Sequence, residues 1–328
     1  MYIVTGGAGF IGSAFVWYLN TLGINDIIIV DNLGTNEKWK NLVPLSFNDY
    51  FEKDSFREML IKNDHIIKNA EAIIHLGACS STTETDASYL IDNNFQFSKD
   101  IANFAINNNT YMLYASSAAT YGSGDMGYID DENNIHKLKP LNMYGYSKQI
   151  FDLWCRKNKL FSKFAALKFT NVFGPNEWHK GDMRSLICKA FDQISDTGKL
   201  KLFKSYLPQY KDGEQMRDFL YIKDAVMMIN HILSNKITGI FNIGSGKPET
   251  WNYLANAIFK AMDLPPIIQY IDMPEHLKDK YQYYTKADMN KFNKNCFEME
   301  YTPLNNAISD YVKNYLMTNN RLDPLKTL

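Results

Sequence analysis

The chain has 328 residues, 45% of them hydrophobic, which is enough for a sizeable core and too apolar for intrinsic disorder. Lys plus Arg number 35 against 36 Asp plus Glu, for a net charge of −1, so the basic stripe of a nucleic-acid binder is absent. Of the four cysteines, Cys79, Cys155, Cys188 and Cys296, none falls in a CxxC or Cys/His ligand spacing, so neither a metal site nor a disulfide scaffold is expected.

Met1 leads directly into an apolar strand, with no basic-then-apolar leader before it. No apolar run approaches the ~20 residues of a membrane helix. Four scattered cysteines suit a reducing compartment. The expectation is a cytoplasmic protein with no membrane and no nucleic-acid partner.

Tyr2 to Thr5 reads as a strand and Ile11 to Leu22 as the helix that follows, ended by Gly23. Ile27 to Val30 is a continuous apolar run, as in a strand buried on both faces of a parallel sheet. Ala72 to Leu76 and Tyr111 to Ala115 are further runs of that kind, with helical spacing between them over Tyr89 to Asn107. Asn142 to Leu160 reads as a helix and Ala165 to Phe169 as a strand. The alternation predicts an α/β fold, a Rossmann-type doubly wound parallel sheet, with a smaller, mixed C-terminal substrate lobe. After Phe173-Gly174-Pro175 the pattern loosens. Arg217 to Ile222 and Ile240 to Ile243 look like returns to the sheet, and a last helix runs from Leu304 to Leu316. The expected division is 1–174 plus about 217–250 for the dinucleotide domain, and 175–216 with 251–328 for the substrate lobe.

Gly6, Gly9 and Gly12 stand between the first strand and the first helix. Glycine permits the tight turn, the close approach of backbone N–H groups to a pyrophosphate, and close helix–sheet packing. The pyrophosphate then meets the positive end of the helix. Asp31 ends the next strand, where a carboxylate holds a ribose hydroxyl and favours NAD. Lys38 and Lys53 stand where a basic pair would meet the 2′-phosphate of NADP, or would be plain surface charge; the residues alone leave both readings open.

Tyr144 and Lys148 form a YxxxK pair, one helical turn apart on a shared face. A phenol titrates at about 10 in water; the neighbouring ammonium is expected to lower it, so that Tyr144 exchanges a proton with a substrate alcohol as hydride moves to a nicotinamide. Ser117, in Ala115 to Gly122 after a strand, would hydrogen-bond the same oxygen.

In these residues the chain resembles the extended short-chain dehydrogenase/reductases acting on nucleotide-sugars, and within them the ADP-L-glycero-D-manno-heptose 6-epimerases. The resemblance rests on Val4 to Ser13, Asp31-Asn32-Leu33, Gly77 to Glu84, Tyr114 to Gly122, Tyr144 to Lys148, Asn171-Val172, His179-Lys180-Gly181, Arg217-Asp218-Phe219 and Tyr281-Gln282. It implies a tightly bound NADP in preference to NAD, contacted by Gly6, Gly9, Phe10, Ile11, Gly12, Asp31, Asn32, Lys38, Lys53, Leu76, Gly77, Ala78, Cys79, Ser80, Asn93, Tyr144, Lys148, Val172 and Lys180. It implies substrate contacts at Ser81, Asn171, Asp182, Lys189, Phe203, Lys204, Ser205, Arg217 and Tyr281. A guanidinium such as Arg217 matches a diphosphate fork to fork.

The implied reaction inverts C6 of the heptose of ADP-D-glycero-β-D-manno-heptose through a transient 6-ketone. The two epimeric alcohols point differently, so the family is thought to use two bases; Tyr144 and Lys180 match them, and Lys180 would need a lowered pKa. The resemblance also implies a homo-oligomer, a pentamer, serving lipopolysaccharide core synthesis. Asp182, Lys189, Phe203-Lys204-Ser205 and an insertion over 206–214 depart from the family pattern. The alternatives are another nucleotide-sugar epimerase, a dehydratase or a reductase, or a non-catalytic cofactor-binding module. A dehydratase would carry an acid pair after Ser117, where this chain has Ala118 and Ala119; a binding module would lose Tyr144 or Lys148.

Overall fold

The computed structural model describes residues 1–278 and 281–326. In chain order its strands are β1 (Tyr2–Thr5), β2 (Ile27–Asp31), β3 (Asp49–Glu52), β4 (Ala72–His75), β5 (Tyr111–Ser117), β6 (Phe164–Phe169), β7 (Asn171–Phe173), β8 (Leu200–Phe203), β9 (Met216–Tyr221), β10 (Gly239–Ile243), β11 (Pro248–Thr250) and β12 (Ile268–Ile271). Seven of them form one parallel sheet in the order β10-β6-β5-β4-β1-β2-β3. The order reverses between β1 and β4, so a crevice opens at their carboxyl ends, where ligands bind in open α/β sheets.

Successive side chains on a strand point to opposite faces, and the core divides accordingly. Val4, Ile29, Ile74 and Leu113 face the helices Phe10–Thr21 and Ile222–Ser234. Ile3, Ile28, Ile73 and Met112 face Phe56, Ile101 and Phe151 on the opposite layer. Both faces are covered, which is why these strands read as unbroken apolar runs.

The structure departs from the sequence reading in three places. Arg217 to Ile222 does not join the main sheet: β9 pairs with β7 and β11 in a three-stranded sheet. Charged residues at 217 and 218 would not suit a strand covered by apolar layers on both faces; here Asp218 is buried on hydrogen bonds from Ser245, Gly246 and Ala287 N–H groups. The edge strand β3, Asp-Tyr-Phe-Glu, was hidden by its polar ends, which an edge tolerates. The helical stretch read over Tyr89 to Asn107 is an α-turn at Ala87–Leu90, a π-helical segment at Ile91–Gln96 and an α-helix from Phe97. The wider turn buries Asn94, whose side chain bonds both backbone groups of Cys79 and the Ser147 hydroxyl.

The smaller region comprises the two-stranded parallel sheet β8–β12 and the helices Leu186–Thr197 and Trp251–Ala261. No helix among the described residues is long and apolar enough to cross a membrane.

Candidate active site

A long cleft runs along the carboxyl ends of the sheet, from the glycine turn after β1 to the three-stranded sheet. Gly6 has φ +70°, and a Cβ there would lie 2.6 Å from the backbone nitrogen of Gly77, after β4. A Cβ on Gly12 would lie 2.0 Å from the carbonyl oxygen of Gly6. The two turns and the first helix therefore pack at a spacing that only glycine allows. That helix has no side-chain cap and no acidic residue in its first turn, so its free N–H groups and positive dipole face the cleft. The cradle fits a dinucleotide pyrophosphate.

Asp31, at the end of β2, lines the cleft beside this cradle. One carboxylate oxygen accepts the Ala8 N–H at 2.9 Å; the other accepts Lys38 Nζ at 2.7 Å and the Asn32 N–H at 2.7 Å. Lys38 lines the cleft, as do Phe10, Ile11, Val172 and the segment Leu76 to Ser80. Asn32, Lys53 and Asn93 are not on its wall. Lys53 begins a helix and donates to Asn93 Oδ1 at 3.2 Å, away from Lys38.

Tyr144, Lys148 and Ser117 converge on the middle of the cleft. Asn142 caps their helix by accepting the Gly145 N–H at 2.8 Å, which fixes Tyr144 in its first turn. Lys148 is buried, donates to the Ala115 carbonyl at 2.9 Å, and is pushed down to about 8 by burial, against the upward pull of Asp152. The expected lowering of Tyr144 by Lys148 does not appear: burial pushes the phenol up, offset in part by a hydrogen bond with the Ser117 side chain. Withdrawing a phenolate from water outweighs an ammonium that is aimed at a carbonyl instead.

Beneath them lies a charge network that sequence reasoning missed. Lys168 and Asp152, both fully buried, pair at 2.9 Å. Asp152 also accepts from Ser116 at 2.7 Å and Tyr114 at 2.9 Å, and Lys168 donates to Thr120 at 2.6 Å. It pins the end of β5 to the Tyr144 helix. The available signal was Asp152 standing four residues after Lys148, one further turn on the same face.

Across the cleft, Lys180 sits on the short turn Trp178–Met183, its ammonium 5.2 Å from the centre of the Phe10 ring. It has no hydrogen-bonded or ion-paired side-chain partner among the described residues, and burial lowers its pKa despite the opposing field of Glu177. Further along, Arg217 is buried between the Trp251 and Tyr281 rings, 5.6 and 5.2 Å from their centres. It donates to the carbonyls of Met216 and Gln282, and the Gln282 side chain in turn donates to the Gly122 carbonyl. Trp251, whose indole N–H donates to the Tyr281 hydroxyl at 2.8 Å, was not anticipated; nothing in its local sequence marks it.

Ser81, Asn171, Arg217 and Tyr281 line the cleft. Phe203 is one layer back, edge-on to Tyr281 at 6.5 Å. The remaining expected contacts lie off the cleft wall: Asp182 and Lys189 are exposed, with Lys189 Nζ donating to the backbone carbonyl of Asp182, Lys204 turns to Asp272, and the Ser205 hydroxyl donates to the Leu207 carbonyl. Among the described residues no group of His, Cys, Asp and Glu could hold a metal ion.

Residues 2–244 match the NAD dependent epimerase/dehydratase family. The chain is similar to an ADP-L-glycero-D-manno-heptose-6-epimerase of Nitratidesulfovibrio vulgaris, with 51% identity over 317 residues, covering 96% of this chain and 98% of the relative. A protein of the same description from Fusobacterium nucleatum is 47% identical over 326 residues, covering 96% and 98%. Among solved structures, the ADP-L-glycero-D-manno-heptose-6-epimerase of Helicobacter pylori superposes with a TM-score of 0.79 at 21% identity, covering 95% of each chain. At that identity the superposition speaks for the fold alone.

Proposed function

The chain belongs to the NAD dependent epimerase/dehydratase family, alongside the ADP-L-glycero-D-manno-heptose-6-epimerases, and from that premise we propose that it inverts C6 of the heptose in ADP-D-glycero-β-D-manno-heptose, giving the L-glycero epimer through a transient 6-ketone. The observation that carries the reading is that Tyr144, Ser117, Lys148 and Lys180 line one cleft together with the glycine cradle.

A bound oxidised nicotinamide would supply the hydride acceptor. The chain's own residues do the rest. Ser117 orients the C6 oxygen. Tyr144 takes the proton of one epimer's alcohol, and Lys180, on the facing wall, serves the oxygen of the other. Lys180 acts as a base only when neutral, and its burial favours that form. Lys148 would hold the ribose and, turned from the Ala115 carbonyl, would steady Tyr144. Arg217, held between two rings, meets the diphosphate.

We read the cofactor as NADP, because Lys38 stands beside Asp31 at the ribose end and can turn from the carboxylate to a 2′-phosphate. Mass spectrometry of the copurifying dinucleotide checks this. The cytoplasm, suggested by four unpaired cysteines, and a homo-oligomer, suggested by the family likeness, belong to the same reading; light scattering tests the latter. Following the epimer ratio by NMR after mixing pure protein with the ADP-heptose tests the reaction. Failure to interconvert the epimers with dinucleotide bound overturns it.

A further inference from the structure

Lys180 lies on a turn that belongs to none of the three sheets, whereas the glycine cradle is built on the main one, and a second base has to be held steadily against it. Two buried asparagines bridge that gap. Asn41, at the end of the turn after β2, is 2% exposed. Its amide donates to the carbonyl of Ala8 in the glycine turn at 3.0 Å and to the carbonyl of Asn176 at 3.1 Å, with His179 Nδ1 3.4 Å away. Asn176 is fully buried at φ +78°. Its amide donates to Ser13 on the first helix at 3.0 Å, and its oxygen accepts the Leu322 N–H at 3.1 Å.

The segment that leads into Lys180 is therefore fastened at two points, to the phosphate loop through Asn41 and to the first helix through Ser13, and through side chains that make no chemistry of their own. Replacing Asn41 leaves the buried Ala8 carbonyl without a donor and the Asn176 carbonyl with His179 alone, so the tie between the two turns is lost and the Lys180 turn is freed to shift. A shift of about 1 Å at a reacting group lowers a rate by up to about a hundredfold.

We infer that Asn41 is a positioning residue for Lys180, setting the distance of the second base from the phosphate loop. The inference rests on the proposed role of Lys180. His179, which burial holds down to about 4, stays neutral at physiological pH and so adds no charge beside Lys180.

The test compares Asn41→Leu with Lys180→Met in single turnovers, started separately from each epimer and followed by nicotinamide absorbance. Tyr144 serves one epimer's alcohol and Lys180 the other's. Asn41→Leu should slow oxidation of one epimer by about ten- to a hundredfold and leave the other within about twofold. Lys180→Met should slow the same epimer more. In the protein alone, labelling of Lys180 by an amine-directed reagent, read by peptide mass spectrometry, should quicken in Asn41→Leu as the turn loosens.

Equal slowing of both epimers by Asn41→Leu, or unchanged rates and labelling, overturns the inference while Lys180→Met still discriminates. If Lys180→Met itself treats both epimers alike, the two-base reading fails instead. Ser13→Ala removes the Asn176 anchor, together with the long Ser13–Phe10 bond inside the first helix, and gives a milder probe should Asn41→Leu not fold; it should show the same asymmetry, and symmetric or absent slowing counts against the inference.

Discussion

The wall of the cleft that carries the glycines comes from strand ends that are neighbours in one sheet, β1, β2, β4 and β5, each within a few residues of the group it presents. The wall that carries Lys180, Arg217 and Tyr281 is gathered from four returns of the chain, at 170–186, 217–219, 251 and 281–287. On the first wall, position follows from hydrogen-bond register, because a parallel ladder fixes every Cα against its neighbour. On the second it follows from side chains bonding to remote backbone: Arg217 to the Gln282 carbonyl, Gln282 to Gly122, Asn41 to Ala8. A site built this way keeps its redox half in the rigid scaffold and leaves its substrate half free to be re-formed by loops.

If the halves are separable, substitutions should divide cleanly between them. Tyr144→Phe removes the proton acceptor of the scaffold half, and kcat should fall by about three orders of magnitude with dinucleotide retention unchanged; steady-state assays and cofactor content check this. Arg217→Lys keeps the charge but loses the planar fork. It should raise KM for the ADP-sugar by roughly ten- to a hundredfold, as the loss of charged hydrogen bonds of ~1.5–3 kcal/mol implies, with kcat changed far less. A large fall in kcat there would mean that the halves are coupled. Lys38→Ala should lower the preference for NADP over NAD by roughly two- to fivefold, the scale of one partly exposed charge contact of about 0.5–1 kcal/mol, read from the ratio of the two dissociation constants.

The smallest effect concerns the scaffold half alone. His75 is fully buried beneath the glycine turn, between Thr5 at 2.7 Å and Ser98 at 2.8 Å, and burial holds its pKa down to about 3 from 6.5. The unfolded chain therefore binds the proton first as pH falls. Stability is fully present above about pH 6.5 and is lost below it, by up to ~1.4 kcal/mol per pH unit from this group. His75→Asn should flatten the decline of the unfolding midpoint between pH 6.5 and pH 5 relative to the parent protein. An unchanged slope would move the acid sensitivity elsewhere.

The same division explains what could be read from the amino acids. Gly6, Gly12, Asp31, Ser117, Tyr144 and Lys148 announce themselves because strand, turn and helix place them locally, and their spacing is their geometry. Lys180 and Arg217 were reachable only through likeness to a family, since nothing adjacent to them in sequence says what they face. Lys189, Lys204 and Asp182 show the limit: charged residues in the right stretch of chain, yet on the surface off the cleft, Lys204 on Asp272 and Lys189 on the backbone carbonyl of Asp182. Trp251 and Asn41 were invisible for the opposite reason, because each acts on a partner 30 or more positions away. The Asp152–Lys168 pair was hidden by its type, since two charges were not expected in a core.

The central claim, that C6 loses and regains its own hydrogen on opposite faces, is tested most directly by running the epimerisation in D2O. Proton NMR and mass spectrometry of the product should show C6 carrying protium, with no deuterium gained there as the epimer ratio reaches equilibrium. Deuterium appearing at C6 in step with inversion would mean that the hydrogen passes through solvent, and would contradict the account.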